Sequence, residues 1–246
     1  MQWGFFSVTH IISLVMVGVI TVGLHFALRN RSEKTQTVVL GSLSFLGIAS
    51  IIYNLIAWNC PLENLPLHLC SFNAIVLPFV VFTKNKALGN MLLLWCLGAI
   101  AALVLNTEMA ETELLGWPFF FYYFPHVVEI AIPLLMVSLG KVRKDPKCIF
   151  STMGITMGLY TLVHFINLGL NKLFIAQDIR NLSGEIILSN YMYTVKPNNP
   201  LSDLFYGWVG EYWHMYLALP ILVVYLLLVY APELLRLLKK KEEVSA

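Results

Sequence analysis

Charged residues are scarce in this sequence. Lys, Arg, Asp and Glu make up 12% of the 246 residues, against about 25% in an average soluble domain. Apolar residues make up 58%, and a soluble domain cannot bury that much apolar surface, because most of its residues still touch water. The composition therefore excludes a soluble enzyme, a disordered chain and a nucleic-acid-binding protein, and it predicts a polytopic membrane protein.

Other absences narrow the class of membrane protein. The short segments of alternating apolar and polar residues that are typical of membrane β-barrels do not occur. The first apolar stretch has neither a basic segment before it nor a small-residue cleavage site, so we do not expect a signal peptide. The sequence also has no internal repeat, no low-complexity tract and no soluble domain. An all-α bundle of membrane-spanning helices is the fold class that these features favour.

Long apolar stretches are what the sequence has in abundance. A helix needs about 20 mostly apolar residues to cross the hydrocarbon core of a bilayer. Seven stretches meet this requirement, so we predict a seven-transmembrane-helix bundle that forms one domain over residues 1–246. The predicted spans are approximately 6–28, 37–58, 65–83, 90–105, 122–140, 148–170 and 206–230.

The basic residues predict the orientation of the chain. Thirteen of the 16 Lys and Arg residues lie in the connections next to spans one, three and five and after span seven, and the other three all lie in 171–205. Short connections rich in Lys and Arg face the cytoplasm. We therefore predict an extracytoplasmic N-terminus, an extracytoplasmic loop or cap at 171–205, and a basic cytoplasmic tail at 231–246. The protein is expected in the cell membrane.

Polar residues inside the predicted spans share one depth. They lie in the first turns of spans that enter from outside and in the last turns of spans that leave toward it. Polar groups are costly in lipid and usually face a bundle interior or a cavity. We therefore expect one polar chamber near the extracytoplasmic face. The residues expected there are His10, His68, Cys70, Asn73, Asn106, His126, Glu129, His164, Asn167, Glu211 and His214.

Helical spacing favours convergence of these side chains. His126 and Glu129 are three residues apart, so they share a helix face. His68 and Cys70 are two residues apart, so only one of them faces the chamber if this helix is regular. The three-residue spacing also relates Cys70 to Asn73, His164 to Asn167 and Glu211 to His214.

A single histidine in a membrane span is more often a helix–helix hydrogen bond than a catalyst. Four of the expected chamber histidines, in spans three, five, six and seven, lie at one depth beside two carboxylates and favour a functional site instead. His25, Cys96 and Cys148 lie away from that depth, and we interpret them as structural.

Cys70 is the candidate nucleophile. It follows Asn64, a suitable helix cap, and Pro66, which is tolerated in a first helical turn. The N-terminal end of a helix favours a thiolate, and a nearby histidine activates it further. Two structural alternatives stay open: a disulfide between Cys60 and Cys70, or Cys70 as a small packing residue.

The segment from Leu65 to Ser71, Leu-Pro-Leu-His-Leu-Cys-Ser, resembles the signature of the YwaF-type family of bacterial integral membrane proteins. The seven-span layout and His126 at the start of span five also resemble that family. A eukaryotic branch of the family is similar to a cysteine-dependent acyltransferase, which moves a fatty acyl chain from a phospholipid to a lyso-ether phospholipid. The resemblance implies that the nucleophile of that branch falls on Cys70 and its partner histidine on His126.

The expected activity is therefore a lipid transacylation. Acyl-CoA is absent outside the cell, so a membrane phospholipid or a lipoprotein is the expected donor and a lysolipid or related molecule the acceptor, with no cofactor. His126 deprotonates Cys70, and the thiolate forms a thioester with the acyl chain. Glu129 is expected to set the tautomer of His126. The expected donors to the oxyanion are Asn73, Asn106 or His68.

Two other classes remain at this stage. Glu211 and His214 form a Glu-x-x-His motif, the spacing found in di-iron bundles, and the His/Glu cluster would suit a metal- or haem-binding oxidoreductase. A seven-helix sensor or transporter is the other class, because transporters often contain broken helices. Pro78, Pro133 and Pro220 could produce such breaks.

Overall fold

A computed structural model describes residues 2–57, 61–105 and 109–245. These residues form α-helices joined by loops and short 3-10 turns, with two isolated β-bridges and no longer strand among them. The prediction of an all-α protein is therefore confirmed. The helices are α1 (Val8–Leu28), α2 (Glu33–Ala57), α3 (Leu69–Thr83), α4 (Lys86–Val104), α5 (Trp117–Ser138), α6 (Cys148–Ala176), α7 (Pro200–Val209) and α8 (Leu219–Ser245).

Six helical segments among the described residues are long and apolar enough to cross a membrane. They are 8–28, 33–57, 86–104, 117–138, 148–176 and 213–239. The predicted third span corresponds to α3, which has 15 residues and a length of about 22 Å, less than the ~30 Å of a hydrocarbon core. The count of seven spans and the orientation of the termini therefore stay predictions.

The predicted seventh span is interrupted. A regular helix over 206–230 was expected, but α7 ends at Val209 and α8 begins at Leu219, with a 3-10 turn at Trp213–Ala218. Gly210 and Tyr212 both have positive φ angles, +79° and +59°, and this left-handed backbone ends a right-handed helix. Helix α8 then continues to Ser245, so the predicted tail is mostly helical.

The chain forms two compact units. Unit 1 comprises Met1–Ala57 and Leu69–Arg143 and contains α1 to α5. Unit 2 comprises Trp58–His68 and Lys144–Ala246 and contains α6 to α8. The predicted chamber residues are thus divided between two units, and the single chamber stays a prediction.

Helix α5 is central to unit 1, where it contacts α1, α2, α3 and α4. Helices α2 and α3 approach closely because Gly47 lies against Ala74, where an added Cβ atom would come within 2.6 Å of the Ala74 side chain. Small residues allow such contacts between membrane helices. The core around α5 is formed by Trp3, Ala99, Leu103, Phe119, Tyr123, Val127 and Ile130.

His10 has a structural role in unit 1. Its Nδ1 accepts a hydrogen bond from the Phe6 N–H at 3.0 Å, so in the neutral ring Nε2 carries the proton. Nε2 then donates to the Leu103 carbonyl at 2.8 Å. Both ring nitrogens are occupied in a fully buried side chain, which fastens the start of α1 to the end of α4.

Candidate functional site

His126 follows directly after a proline in α5. Pro125 has no N–H, so the Phe121 carbonyl, four residues earlier, lacks its helical partner. The Ser50 hydroxyl of α2 donates to that carbonyl at 2.5 Å. A side chain of a neighbouring helix therefore supports the turn that carries His126.

The Ser50 contact has a measurable consequence. We expect Ser50→Ala to lower the free energy of unfolding by about 1–3 kcal/mol, because the Phe121 carbonyl is left without a partner in an apolar environment. The measurement is unfolding in detergent, with amide hydrogen exchange of residues 121–126 as a local readout. Ser44→Ala is the matched control, because the Ser44 hydroxyl bonds only to Gly41 within its own helix. Equal effects of the two variants would contradict the assignment.

A second proline, Pro133, also leaves one carbonyl of α5 without its helical hydrogen bond. It deprives the Glu129 carbonyl of its helical N–H, and the Cys96 thiol of α4 donates to this carbonyl at 3.3 Å. Cys96 is buried, and this bond agrees with the structural interpretation of that cysteine. The backbone that carries His126 and Glu129 is thus supported from two helices.

The His126 ring is oriented by backbone. Its Nδ1 lies 2.6 Å from the Tyr122 carbonyl, and since a carbonyl only accepts, Nδ1 carries the proton. In the neutral ring Nε2 then bears the lone pair, and the described residues offer it no hydrogen bond. The prediction that Glu129 sets this tautomer is wrong, because the Tyr122 carbonyl occupies Nδ1.

Glu129 instead contacts α3. Its carboxyl accepts a hydrogen bond from Asn73 Nδ2 at 3.3 Å, and both side chains are buried. Asn73 Oδ1 has no hydrogen-bond partner among the described residues. Buried polar atoms are normally paired, so this oxygen is available to a donor that enters the site.

Cys70 is the second residue of α3, which begins later than predicted, at Leu69. The first N–H groups of a helix lack internal partners and point out of its N-terminus. The backbone N–H groups of Cys70 and Ser71 belong to this first turn. Cys70 forms no disulfide among the described residues and is partly buried. The alternative partner in a disulfide, Cys60, lies outside the described residues.

Helices α3 and α5 run parallel, since each is antiparallel to α4. Two residues join α3 to α4, and Leu69 at the far end of α3 lies against Gly98. Helix α5 begins beside the end of α4, where the Tyr122 hydroxyl donates to the Ala102 carbonyl at 2.8 Å. The bond from Cys96 to the Glu129 carbonyl lies earlier in α4 but later in α5, so the two helices run in opposite directions.

The Asn73–Glu129 contact relates the two reactive groups. One turn back from Asn73 along α3 is Cys70, and one turn back from Glu129 along α5 is His126. Because the helices are parallel, Cys70 and His126 lie at about the same level along α3 and α5. Asn73 and Glu129 are thus in contact in unit 1, and Cys70 and His126 each lie one helical turn from that contact.

The remaining predicted residues lie elsewhere. His68 belongs to unit 2, where its Nδ1 accepts from the Met192 N–H at 3.3 Å and its ring contacts those of Tyr191 and Tyr193. Glu211 is exposed in the turn between α7 and α8, so it lines no buried site. The prediction that Glu211 shares a helix face with His214 is wrong, because α7 ends at Val209 and the backbone is not helical at Gly210. Asn106 lies outside the described residues.

Both polar atoms of the Asn167 side chain form hydrogen bonds with a loop. Its Oδ1 accepts from the Tyr191 N–H at 3.0 Å, and its Nδ2 donates to the Tyr191 carbonyl and to Thr194 Oγ1, each at 2.9 Å. Met192 and Tyr193 between them have φ angles of +54°, a costly conformation for residues with side chains. Asn167 is therefore a structural residue that holds a strained turn, contrary to its predicted place in a chamber lining.

We expect Asn167→Leu to release this turn. Three hydrogen bonds are lost while side-chain volume is kept, and we expect the free energy of unfolding to fall by about 2–4 kcal/mol. Thermal unfolding and limited proteolysis within 186–196 are the measurements. Asn198→Leu serves as the control, because Asn198 is exposed. Unchanged proteolysis in Asn167→Leu would contradict this role.

His164 and His214 are two further buried histidines, and both belong to unit 2. The His164 ring stacks on Tyr212 at 4.7 Å between ring centroids, and the His214 ring meets Tyr206 edge-on at 5.6 Å. His164 Nδ1 and both His214 ring nitrogens lack a hydrogen bond among the described residues. The described residues contain no group of three or more His, Cys, Asp or Glu side chains placed to hold a metal ion.

The family comparison agrees with the membrane fold. A model of the TMEM164 family matches residues 5–230 of this sequence. The chain belongs to the TMEM164 family. It is therefore a multi-pass transmembrane protein, and TMEM164 fits the eukaryotic relative that the sequence resemblance implied. No curated protein and no solved structure matches the chain. The link to the bacterial YwaF-type family stays a prediction.

Sequence reasoning missed three groups that position the site in this TMEM164-family chain. They are the Ser50 hydroxyl, the Cys96 thiol and the Tyr122 carbonyl. Pro125 and Pro133 were the available signal, because each leaves one identifiable carbonyl without a partner. The sequence does not reveal which neighbouring side chains donate hydrogen bonds to those two carbonyls.

Proposed function

We propose that this protein is a cysteine-dependent lipid acyltransferase. It transfers a fatty acyl chain from a phospholipid, through a thioester on Cys70, to a lysolipid or a related acceptor. The observation that carries the proposal is the hydrogen bond between Asn73 and Glu129, which lie one turn along α3 and α5 from Cys70 and His126, with His126 Nε2 unoccupied among the described residues. A thiol with a correctly oriented imidazole base is the arrangement of an activated nucleophile.

The first half-reaction acylates Cys70. His126 Nε2 takes the proton from Sγ, and the thiolate attacks the carbonyl carbon of a phospholipid ester. As the tetrahedral intermediate collapses, the bond from carbon to the lipid oxygen breaks and the C–S thioester remains. The His126 imidazolium gives its proton to the departing oxygen, so a neutral lysolipid hydroxyl leaves.

The second half-reaction returns the acyl chain to a lipid. The acceptor hydroxyl transfers its proton to His126 Nε2 and attacks the thioester carbonyl. The new C–O bond forms, the C–S bond breaks, and the Cys70 thiolate recovers the proton from His126. No net oxidation or reduction occurs, and the enzyme is regenerated without a cofactor.

Backbone groups support both steps. The Tyr122 carbonyl keeps Nδ1 protonated and stabilises the imidazolium that forms during transfer. The N–H groups of Cys70 and Ser71 lie in the first turn of α3, where the helix dipole stabilises negative charge that develops nearby. Asn73 Oδ1, unpartnered and buried, is suited to accept a hydrogen bond from the acceptor hydroxyl.

A covalent intermediate tests the proposal. Purified protein in detergent is incubated with phosphatidylcholine that carries a labelled acyl chain, and peptides are analysed by mass spectrometry. We expect an acyl adduct on the peptide containing Cys70, released by hydroxylamine as a thioester is. Cys148, partly buried in unit 2, is the internal control and should stay unmodified. Label transfer between lipids without any adduct on Cys70 would refute the proposal.

The membrane side of the reaction is also part of the proposal. The distribution of Lys and Arg predicts that the N-terminal ends of α3 and α5 lie near the extracytoplasmic face of the cell membrane. At that face a membrane phospholipid is the available acyl donor, and lysolipids are present in the same leaflet as acceptors.

A further inference from the structure

Helix α7 has an apolar face whose side chains are about half or more exposed to the surroundings. Leu201, Leu204 and Trp208 recur at the spacing of one helix face and are 51%, 49% and 66% exposed. We call these three residues the outer face of α7. Phe205 borders this face, with its ring 5.8 Å from that of Trp208, while Tyr206 lies on the opposite side, is less exposed and contacts the buried His214 ring.

Helix α7 is too short to cross a bilayer. It has 10 residues and a length of about 15 Å, half of the hydrocarbon thickness. Its first turn is closed by a capping box between Asn199 and Ser202, and Asp203 follows in that turn. These polar groups need water or lipid head-groups around them, so the start of α7 cannot lie deep in hydrocarbon.

The end of α7 is bounded in the same way. At Gly210 and Tyr212 the chain leaves helical geometry, with φ angles of +79° and +59°. Non-helical backbone is tolerated at membrane depth only where protein or water surrounds it. The candidate span Trp213–Lys239 begins directly after this turn. Both ends of α7 therefore belong at the level where the last span enters the membrane.

We propose that α7 is an interfacial helix whose outer face inserts into the head-group and upper acyl region of the bilayer. The partner is the lipid surface itself, because the rest of the chain is membrane-integral and α7 joins a span directly. Amphipathic helices with Trp and Leu on one face bind in this way. Trp208 and the neighbouring exposed Trp213 are of the residue type enriched at membrane interfaces. The proposal does not depend on the acyl-transfer chemistry.

Photochemical labelling tests this placement in the full-length protein. A diazirine analogue of leucine replaces Leu204, and in a second protein it replaces Asp203, which is exposed on the flank of the same helix away from the outer face. Each protein is reconstituted in vesicles of phosphatidylethanolamine and phosphatidylglycerol and irradiated. Adducts are identified by mass spectrometry, and position 201 provides an independent repeat.

We expect at least about tenfold more phospholipid adduct at positions 204 and 201 than at position 203, where the carbene should react mainly with water. The leucine analogue closely matches leucine in size, so folding is preserved. Equal lipid labelling at 203 and 204 would overturn the proposal. Crosslinks from 204 to another segment of the chain or to a second copy would also overturn it, because they would identify a protein partner for the outer face.

Discussion

Replacing Cys70 with alanine should abolish acyl transfer between lipids. If the thiolate forms the intermediate, Cys70→Ala removes the only atom that can carry the acyl chain, and we expect the rate to fall by about 10³-fold or more. The measurement is transfer of labelled acyl chains from phosphatidylcholine to lysophosphatidylcholine by purified protein. A rate within about twofold of the original would exclude Cys70 as the nucleophile.

Two comparisons make the Cys70 result specific. Cys148→Ala changes a partly buried thiol of unit 2 and should leave the rate unchanged. Cys70→Ser keeps the size and polarity of the side chain but offers a much weaker nucleophile, because a hydroxyl is far less acidic than a thiol. We therefore expect Cys70→Ser to fold normally and to form no adduct that hydroxylamine releases under mild conditions.

His126→Ala should lower the rate of acyl transfer by about 10²–10⁴-fold. This is the usual contribution of a general base in contact with its nucleophile. The single-turnover rate of adduct formation on Cys70 is the most direct readout, because deprotonation of the thiol precedes acylation. His25→Ala is the control, since the His25 ring contacts Ser138 and lies away from the site. Adduct formation at the original rate in His126→Ala would refute the assigned role.

His126→Asn separates the base from a purely structural histidine. Asparagine keeps a donor for the Tyr122 carbonyl, so folding should be retained, but it has no group that takes a proton at neutral pH. We expect thermal stability close to that of the original protein together with the same loss of rate as in His126→Ala. Rescue of activity by asparagine would mean that His126 only positions the helix.

The double variant adds a test of partnership. Residues that act in one catalytic unit are strongly non-additive. Since His126 acts only through Cys70 in the proposed reaction, adding His126→Ala to Cys70→Ala should cause no further loss. A further loss of about 10²-fold would show that the two residues act independently.

The class of protein was predictable because membrane insertion depends on local composition. Each helical segment long enough to cross a bilayer overlaps a stretch that the sequence marks as apolar. Lipid imposes a helix on any such stretch, since backbone polar groups must be satisfied within the segment. Cys70, His126 and Glu129 were recognisable for a related reason, because polar residues are costly in apolar helices and are rarely without a role.

The interruption between α7 and α8 was not predictable from hydropathy. Residues 206–230 are apolar on average, and an average does not reveal that Gly210 and Tyr212 adopt left-handed backbone. The turn is held by contacts distant in sequence, such as the bond from the Tyr212 N–H to the Thr194 carbonyl at 2.7 Å. The predicted pairing of Glu211 with His214 failed for this reason.

The roles of Asn167 and Glu129 also required the structure. Their residue types predict members of a site, but the partner of an amide or a carboxyl depends on which helix lies opposite. Asn167 meets the 191–194 turn, and Glu129 meets Asn73 while backbone orients His126.

The sequence by itself determined an all-helical membrane chain with a cysteine near the start of one apolar helix and a histidine in another, because hydrophobicity and helix propensity act over neighbouring residues. Only the tertiary structure decided which helices face each other and that the candidate residues belong to two units. It also decided that Ser50 and Cys96 donate to the two carbonyls that lack a helical partner because of Pro125 and Pro133. Those features depend on packing between segments far apart in the chain, where single contacts, and not average composition, select the arrangement.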